Sequence, residues 1–409
     1  MSSESSPQSP SRSHSRSPSV NPSVSPVPAG GGARKPRVAV VFGGRSSEHA
    51  ISVVTAGAVM AAIDRNAYEV LPIGITTDGR WALTADDPAR MAIEGRTLPS
   101  VDRLAESAEG GVLLPVDPAG REVVYSEPGQ VPKSLGEVDV VFPVLHGPYG
   151  EDGTLQGLLE LSGVPYVGSG VLASAVGMDK EYMKRVFTSF GLAVGPYTVI
   201  RPREWERDGG DGPGAAARAK IIEFAAEHGW PVFVKPARAG SSMGISRVGG
   251  PDELDAALAE ARRHDPKVLV EAALSGREIE CGVLEFEDGP RASVPAEIPP
   301  VTAHDFYDFE AKYIDSAAGL VPAPLTEEQT ARVRELAVRA FDAAACEGLV
   351  RADFFLREDG EFVINEINTM PGFTPISMYP RMWQESGVSY PELVDLLIKA
   401  ALRRPTGLR

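Results

Sequence analysis

The residues with the clearest potential for chemistry are two carboxylates, an amide and a guanidinium near the end of the chain, within residues 351–372. Apolar and polar residues alternate there on both sides of Asp359-Gly360. Alternation with a period of two is typical of β-strands, and an Asp-Gly pair between two such runs is a strong hairpin signal. The sequence therefore predicts a hairpin with a two-residue turn, in which Glu358 faces Glu361.

Continuing the pairing from that turn puts Asp353 opposite Glu366 and Arg351 opposite Asn368, with all four side chains on one face. Like charges directly opposed across a sheet repel each other. A divalent cation would remove the conflict, and oxygen ligands without His or Cys favour Mg²⁺ or Mn²⁺ over zinc. The alternative is an acidic edge hairpin with solvated carboxylates.

A candidate phosphate site follows the strand-like run of residues 231–236, in which Lys235 is the charged residue. The next residues form a glycine-rich loop that contains Gly240, Ser241 and Ser242. Glycines beside hydroxyl groups let backbone N–H groups approach phosphate oxygens, and a lysine supplies positive charge. The dipeptide Gly-Lys never occurs in the chain, which excludes a Walker A motif. An ordinary turn is the alternative, but Mg²⁺ with few protein ligands usually binds phosphate as well.

The hairpin, the lysine strand and the glycine loop, in this order, resemble the ATP-grasp superfamily. Six motifs are similar to those of D-alanine–D-alanine ligases in particular: residues 43–48, 146–153, 178–180, 235–244 and 307–313, and the hairpin ending at 368–372. The resemblance runs from Val38 to about Leu396. It implies an α/β (α+β) fold with three-domain ATP-grasp architecture, a Rossmann-like N-terminal domain, and a nucleotide site between the central and C-terminal domains.

The expected divisions are a Ser/Pro-rich tail, an N-terminal substrate domain, a central ATP-grasp subdomain, and a C-terminal subdomain that carries the hairpin: residues 1–36, 37–172, 173–271 and 272–409. Residues 298–324 lack regular periodicity and resemble the family's mobile lid. Strands are predicted at 37–42, 69–75 and 138–143, and helices at 48–63 and 327–345. A helical period from Met178, marked by Tyr182, Val186 and Phe190, is predicted to end at Gly191. Residues 78–137 have the composition of an insertion without obvious chemistry.

For ATP, the resemblance implies that Lys180 and Lys235 grip the α- and β-phosphates and that Lys312 reaches the γ-phosphate as the lid closes. Two Mg²⁺ or Mn²⁺ ions would be held by Asp353, Glu366 and Asn368. Ser241 and Ser242 are the phosphate-binding serines of the loop. Glu271 and Leu274 would contact the adenine, and Glu278 would contact the ribose. Ala273 departs from one family pattern, because some relatives carry Trp there; we expect altered packing without loss of ATP binding.

For the two D-alanine molecules, the resemblance implies that Glu48 pairs with the first ammonium group, oriented through Ser241 and Tyr313. Arg351 and the backbone N–H of Gly372 would stabilise developing negative charge, and Ser377 would bind the second carboxylate. His146 borders the first-substrate pocket and is assigned a supporting role; a capping or turn role is the alternative.

The expected activity is therefore ATP-dependent ligation of two D-alanine molecules through an acyl phosphate, for peptidoglycan precursor synthesis. The substrate's chirality and a homodimeric state come wholly from the resemblance. A D-alanine–D-lactate ligase would share most motifs, although those relatives commonly place His where Tyr313 stands. Another ATP-grasp carboxylate-amine ligase would share only the nucleotide residues. A non-catalytic scaffold is disfavoured, because neither the predicted metal ligands nor Arg351 are missing.

The composition agrees with a cytosolic enzyme. The 409 residues suffice for two or three domains. A formal net charge of −16 disfavours nucleic acid or anionic membrane as the main partner. The two cysteines, Cys281 and Cys346, are predicted to be inert core thiols, and no apolar run approaches membrane-spanning length. The tail lacks the apolar region of a secretory signal and is expected to be disordered; a passive tail or an early start codon is preferred over a regulatory role.

Overall fold

The computed structural model describes residues 34–93, 95, 97–206, 214–240, 243–299 and 319–404. The expectations for the tail therefore lie almost wholly outside the described residues. So do Ser241, Ser242, Lys312 and Tyr313, together with most of the proposed lid.

The strands and helices of the described residues come in short runs along the chain. The strands are β1 (Arg37–Gly43), β2 (Glu69–Ile75), β3 (Trp81–Leu83), β4 (Gly111–Leu113), β5 (Glu122–Ser126), β6 (Lys133–Glu137), β7 (Val140–Pro143), β8 (Tyr197–Ile200), β9 (Val232–Pro236), β10 (Ser246–Val248), β11 (Val268–Ala272), β12 (Arg277–Phe286), β13 (Gly289–Ile298), β14 (Leu349–Leu356) and β15 (Phe362–Asn368). The α-helices are α1 (His49–Ala62), α2 (Val101–Leu104), α3 (Thr154–Ser162), α4 (Val171–Met178), α5 (Lys180–Ser189), α6 (Pro202–Glu206), α7 (Ala215–His228), α8 (Leu254–His264), α9 (Glu327–Ala343), α10 (Met378–Glu385) and α11 (Tyr390–Arg403). Short 3-10 turns cover Pro88–Met91 and Pro251–Glu253.

The first sheet has the order β3-β2-β1-β7, with β1 parallel to both β2 and β7. The predicted strands and the helix after Gly43-Gly44 are confirmed. Gly43 has φ +90°, and a Cβ there would lie 2.3 Å from the carbonyl oxygen of Ile75, so the turn into α1 requires glycine. The segment described as an insertion forms a three-stranded antiparallel sheet, β4-β5-β6.

The second sheet has the order β10-β9-β11-β8, with β11 antiparallel to both neighbours. Alternate side chains of these strands pack against α7 and α8, whose buried residues include Ile221 and Leu258. Lys235 lies in β9, and Glu271 lies in β11. In the antiparallel register Lys235 lies opposite Leu269 and Glu271 lies opposite Phe233, so the lysine and the glutamate are diagonal neighbours on one face of the sheet.

The third sheet has the order β13-β12-β14-β15 and is antiparallel throughout. Helix α9 packs on it through the predicted apolar stripe, Val333, Leu336, Ala337 and Ala340, all of which are buried. The helix starts with a capping box, in which Thr326 Oγ1 accepts the N–H of Gln329 and the Gln329 side chain accepts the N–H of Thr326. The long strands β12 and β14 therefore have a rigid support.

The predicted pairing of the hairpin is confirmed where it matters for chemistry, with Asp353 opposite Glu366 and Arg351 opposite Asn368. The predicted two-residue turn is wrong, and Glu358 does not face Glu361. Arg357 donates its N–H to the Glu361 carbonyl at 2.9 Å, so three residues form the loop. The last of these is Gly360, with φ +86°, as in type I turns followed by a left-handed residue. A register shift between Asp353 and Phe354 then restores the predicted pairs.

Helix α5 lies within the stretch where the helical period was predicted, but the residues that mark the period do not form its buried face. Tyr182 and Phe190 are exposed, at 53% and 59%, whereas Met183 and Phe187 are fully buried. Asp179 caps the helix, since its side chain accepts the N–H groups of Glu181 and Tyr182 in the first turn. Helix α4 therefore ends before α5 starts, and the buried stripe of α5 shifts by one residue. No helix among the described ranges is long and apolar enough to cross a membrane.

Candidate active site

A cavity of about 820 Å³ collects most of the predicted site residues. Its walls come from the loop ahead of α1, the glycine loop after β9, the β12 and β14–β15 strands, and the segment that leads into α10. Predicted site residues that line it are Glu48, Lys180, Lys235, Glu278, Arg351, Asp353, Glu366, Asn368, Gly372 and Ser377. Glu271 and Leu274 are not among its lining residues.

Arg351 is fixed by two carboxylates on adjacent strands. Its Nε and one Nη donate to the two carboxylate oxygens of Asp353, at 2.8 and 2.7 Å, and its Nε lies 3.3 Å from Oε1 of Glu280. All three residues are buried. Burial would lower the pKa of Arg351, but Asp353 and Glu280 raise the pKa well above its usual value. The guanidinium therefore stays charged and has one fixed orientation.

The two opposed carboxylates have different partners. Asp353 accepts from Arg351 and, at 3.0 Å, from the side-chain amide nitrogen of Asn368. Glu366 lies 3.6 Å from Nζ of Lys180, which also donates to the Ala239 carbonyl at 2.9 Å. Because Asn368 directs its amide nitrogen at Asp353, its amide oxygen points away from that carboxylate.

The donor set fits a hard divalent cation. Asp353, Glu366 and Asn368 offer carboxylate and amide oxygens without sulfur or imidazole, which is the ligand chemistry of Mg²⁺ and Mn²⁺. Within the described ranges there is no group of three or more His, Cys, Asp or Glu side chains arranged around a metal position. Two protein carboxylates leave coordination positions for other oxygens, as Mg²⁺ sites on nucleotides require.

Lys235 forms part of a buried charge cluster. Its ammonium pairs with one oxygen of Glu271, and Nζ of Lys184 lies 2.7 Å from the other. Burial raises the pKa of Glu271, but the two lysines outweigh that effect and lower it far below its usual range. Burial likewise lowers the pKa of Lys235, while the charge of Glu271 raises it above the ordinary value. Glu271 and Lys235 are therefore both ionised at neutral pH.

The residues predicted to contact the adenine, Glu271 and Leu274, are not part of the cavity lining. Leu274 is half-buried and would contact a Cβ placed at Gly195, 2.9 Å away. Ala273 is exposed, and its N–H donates to the carbonyl of Pro231 at 3.3 Å. Glu278 lines the cavity together with Lys180 and Lys235.

The residues predicted to line the first-substrate pocket, Glu48 and His146, are both buried. A Cβ at Gly240 would lie 3.1 Å from Oε2 of Glu48, so the glycine loop approaches that carboxylate closely. His146 Nδ1 donates to the Met370 carbonyl at 3.0 Å, and Nε2 lies 3.4 Å from the Thr55 hydroxyl. The imidazole thus ties the loop after β7 to the segment after β15.

Glu151 makes the same connection and was not singled out by the sequence. Its two oxygens accept the N–H groups of Gly147, at 2.7 Å, and Met370, at 3.0 Å. Burial raises the pKa of Glu151 to about 8, although the two N–H donors oppose the shift. The negative charge of Glu48 adds to it.

The residues predicted to contact the second substrate, Gly372 and Ser377, lie in the segment between β15 and α10. Gly372 and Ser377 are half-buried in the cavity wall. Ser377 precedes α10 without capping it; its hydroxyl accepts the N–H of Thr374 at 3.1 Å and lies 2.8 Å from the Thr374 hydroxyl.

Sequence reasoning missed three charged residues with defined roles in this geometry, namely Glu280, Lys184 and Glu151. Glu280 lies in the alternating strand β12 directly opposite Asp353, so its pairing with Arg351 needed the strand order. Lys184 follows Lys180 by one helical turn, which was a usable signal. Glu151 lies inside one of the quoted motifs, but its acceptor role needed the contact with Met370.

The fold and the cavity together define an ATP-grasp ligase. Residues 37–169 match the family model described as D-ala D-ala ligase N-terminus, and residues 186–399 match the one described as D-ala D-ala ligase C-terminus. The chain belongs to the D-alanine–D-alanine ligase family.

Sequence relatives agree with that assignment over almost the whole chain. A D-alanine–D-alanine ligase from Streptomyces griseus is 77% identical over 409 residues, which is 100% of each chain. The Streptomyces avermitilis ligase is 80% identical over 376 residues, which cover 92% of this chain and 96% of the relative.

Solved structures with the same fold include enzymes that differ in the second substrate. A D-Ala:D-Ser ligase from Enterococcus faecalis has 33% identity and a TM-score of 0.75, and the match covers 90% of this chain and 100% of that chain. The D-alanine–D-alanine ligase from Coxiella burnetii has 34% identity and a TM-score of 0.73, covering 90% and 94%.

Proposed function

We propose that this chain joins two D-alanine molecules to D-alanyl-D-alanine, with ATP converted to ADP and phosphate, for peptidoglycan precursor synthesis. The proposal rests on one observation. Lys180, Lys235, the opposed carboxylates Asp353 and Glu366, and the fixed guanidinium of Arg351 all line one cavity. Membership of the ligase family, at up to 80% identity to the relatives named above, supports the substrate.

A carboxylate is a poor electrophile, so its oxygen first attacks the γ-phosphorus of ATP. That step forms a P–O bond, releases ADP and gives an acyl phosphate. Lys180 and Lys235 hold the α- and β-phosphates, while Lys312 meets the γ-phosphate. Ser241 and Ser242 bind phosphate in the glycine loop. Asp353, Glu366 and Asn368 would hold two Mg²⁺ or Mn²⁺ ions, which neutralise phosphate charge when bound.

The neutral amine of the second D-alanine then attacks the acyl carbon. This attack forms the C–N bond and a tetrahedral oxyanion, which receives hydrogen bonds from Arg351 and from the N–H of Gly372. The oxyanion then collapses, the bond to phosphate breaks, inorganic phosphate leaves, and the nitrogen gives up one proton to solvent. The fixed orientation of Arg351 against Asp353 supports this role, because its donors need no reorganisation during the reaction.

The substrate contacts are proposed from the same positions. Glu48 pairs with the first ammonium group, oriented through Ser241 and Tyr313, and His146 supports that pocket. Ser377 binds the second carboxylate. At the nucleotide, Glu271 and Leu274 contact the adenine, although the Glu271 carboxylate also serves two lysines, and Glu278 holds the ribose.

We also propose a domain organisation and an oligomeric state for the chain. The N-terminal domain covers residues 37–172, the central subdomain 173–271, and the C-terminal subdomain 272–409 with a lid at about 298–324. We propose a cytoplasmic homodimer without nucleic-acid or membrane partners.

Product competition tests the dipeptide assignment. The full-length enzyme is given ATP, Mg²⁺ and D-alanine, with or without excess D-lactate or D-serine, at pH 6 to 7, and products are separated by chromatography. D-Alanyl-D-alanine should predominate, since this chain has Tyr313 where D-lactate ligases commonly carry His, and a tyrosine adds no imidazolium charge that would disfavour an incoming ammonium group. L-Alanine should give no ADP release. Depsipeptide or D-alanyl-D-serine as the main product would refute the dipeptide assignment and leave the ATP-grasp chemistry intact.

A further inference from the structure

One extra residue in β15 sets the register of the predicted metal-binding hairpin. The strands β14 and β15 pair in one register up to Phe354 and in another from Asp353 onward, with Asn365 as the extra residue. Successive side chains of a strand point to opposite faces, so without this bulge Asn365 would lie opposite Asp353, and Glu366 would turn to the other face. The bulge therefore decides which side chain meets Asp353.

Lys184 contacts this bulge from helix α5. Its ammonium donates to the Asn365 carbonyl at 3.4 Å and lies 2.7 Å from Oε1 of Glu271. The second oxygen of Glu271 pairs with Lys235. The Lys184 side chain is 4% exposed, so these interactions are weakly screened by solvent. The buried ammonium of Lys184 thus contacts Glu271 of strand β11 and Asn365 of the hairpin strand β15.

We propose that Lys184 is a positioning residue that couples the phosphate-binding lysine to the metal-binding hairpin. The inference rests on the proposed function, since it assigns ATP to Lys235 and a divalent cation to Glu366. Lys184 itself touches neither. Through Glu271 it fixes the ammonium of Lys235, and through the Asn365 carbonyl it holds the bulge directly before Glu366.

The charge balance supports the nucleotide half of this role. Glu271 is shared between two lysines, so the three buried groups carry one excess positive charge beside the cavity. Without Lys184, Glu271 would neutralise Lys235 one to one and weaken its attraction for phosphate. The contact with Asn365 supports the metal half, because residues that orient a ligand typically change metal affinity by about 10–100-fold when removed.

The test compares Lys184→Met with Lys220→Met in the full-length protein. Lys220 is a matched control, because its Nζ also donates to one carbonyl, Val199, and one carboxylate, Glu204, both at 2.7 Å. It lies on α7 and outside the cavity lining. Mn²⁺ binding in the presence of ADP is followed by electron paramagnetic resonance, ADP binding without metal by calorimetry, and folding by the urea midpoint.

For Lys184→Met we expect Mn²⁺ affinity at least about 10-fold weaker than wild type and weaker metal-free ADP binding. Lys220→Met should keep both affinities whatever its urea midpoint. Wild-type Mn²⁺ and ADP affinities in folded Lys184→Met would refute the coupling. A wild-type protein that binds neither ADP nor Mn²⁺ would instead refute the proposed ATP site, so the two failures are distinguishable.

Lys184→Arg is the second variant if Lys184→Met does not fold. It keeps a charged donor, but a planar guanidinium cannot take the place of an ammonium between the Glu271 and Asn365 oxygens without moving one of them. We expect a smaller loss of Mn²⁺ affinity, roughly threefold, at an unchanged urea midpoint. Unchanged Mn²⁺ and ADP affinities in this variant would refute the proposal as well.

Discussion

Asp353 and Glu366 face each other across the hairpin, yet neutralising each should have a different effect on the metal-free protein. Asp353→Asn removes the charge that holds the buried Arg351 through two hydrogen bonds. Glu366→Gln removes a charge whose cationic partner, Lys180, is 3.6 Å away at the cavity surface. Both substitutions remove a proposed metal ligand.

The magnitudes follow from exposure. The Arg351 and Asp353 side chains are 9% and 4% exposed, and breaking a buried ion pair costs about 3–5 kcal/mol. Glu280 remains 3.3 Å from Arg351, so we expect about 2–3 kcal/mol for Asp353→Asn. Glu366 is 29% exposed, and such a pair contributes about 0–1 kcal/mol. Relief of its repulsion with Asp353 offsets part of that loss.

The effect on stability is measured by the urea midpoint of the metal-free protein. The effect on catalysis is measured by ADP release at saturating Mg²⁺. Turnover should fall by about 10²-fold or more in both variants, while only Asp353→Asn should lower the urea midpoint clearly. Glu361→Gln is the control, because its ion pair with Arg357 on the same hairpin is exposed. Equal midpoint shifts would refute the structural distinction. Near-normal turnover of Glu366→Gln with an unchanged Mg²⁺ requirement would refute its assignment as a ligand.

Three further predictions address other parts of the chain. The pKa of Glu151 is raised to about 8, so the folded state favours its protonated form; this contribution to stability is complete below about pH 4 and is lost as pH rises through 8. Glu151→Gln should therefore reduce the change of the urea midpoint with pH between pH 5 and 8. An unchanged pH dependence of the midpoint would contradict the raised pKa of Glu151. Thr326→Ala should cost about 1 kcal/mol by removing the cap shared with Gln329, whereas Thr330→Ala should not lower the midpoint. Ser377→Ala should raise KM for the second D-alanine and leave KM for ATP unchanged; parallel increases would place Ser377 outside the second-substrate pocket.

The hairpin shows why a local sequence signal can succeed at the site and fail nearby. Period-two alternation counted back from an assumed two-residue turn put Asp353 opposite Glu366, and this pairing is present. The Asp-Gly signal did not distinguish a two-residue turn from a three-residue loop that ends in Gly360. The extra residue in the loop and the extra residue at Asn365 compensate, so the prediction was right at Asp353 although both intermediate details were missed.

Helix α5 shows the opposite case, in which the element was predictable and its orientation was not. The interval between Tyr182, Val186 and Phe190 is helical, but the face that packs is set by neighbours that are remote in sequence. Met183 accepts the N–H of Ile367 through its sulfur at 3.4 Å, and Lys184 reaches Asn365. A buried lysine is costly unless it is paired, so its place in the core follows from Glu271, which no local pattern reveals.

The charges of the site explain why nucleotide and metal should bind together. Each cation already faces a carboxylate: Lys180 faces Glu366, Lys184 and Lys235 share Glu271, and Arg351 faces Asp353 and Glu280. Free ATP would therefore compete with these carboxylates for the lysines and would meet their negative charge. If Asp353 and Glu366 hold a divalent cation as proposed, its charge would offset this repulsion and leave Lys180 available for phosphate. The chain's net charge of −16 gives no general attraction for an anion, so selectivity for the metal–nucleotide complex follows from pairing within this cavity.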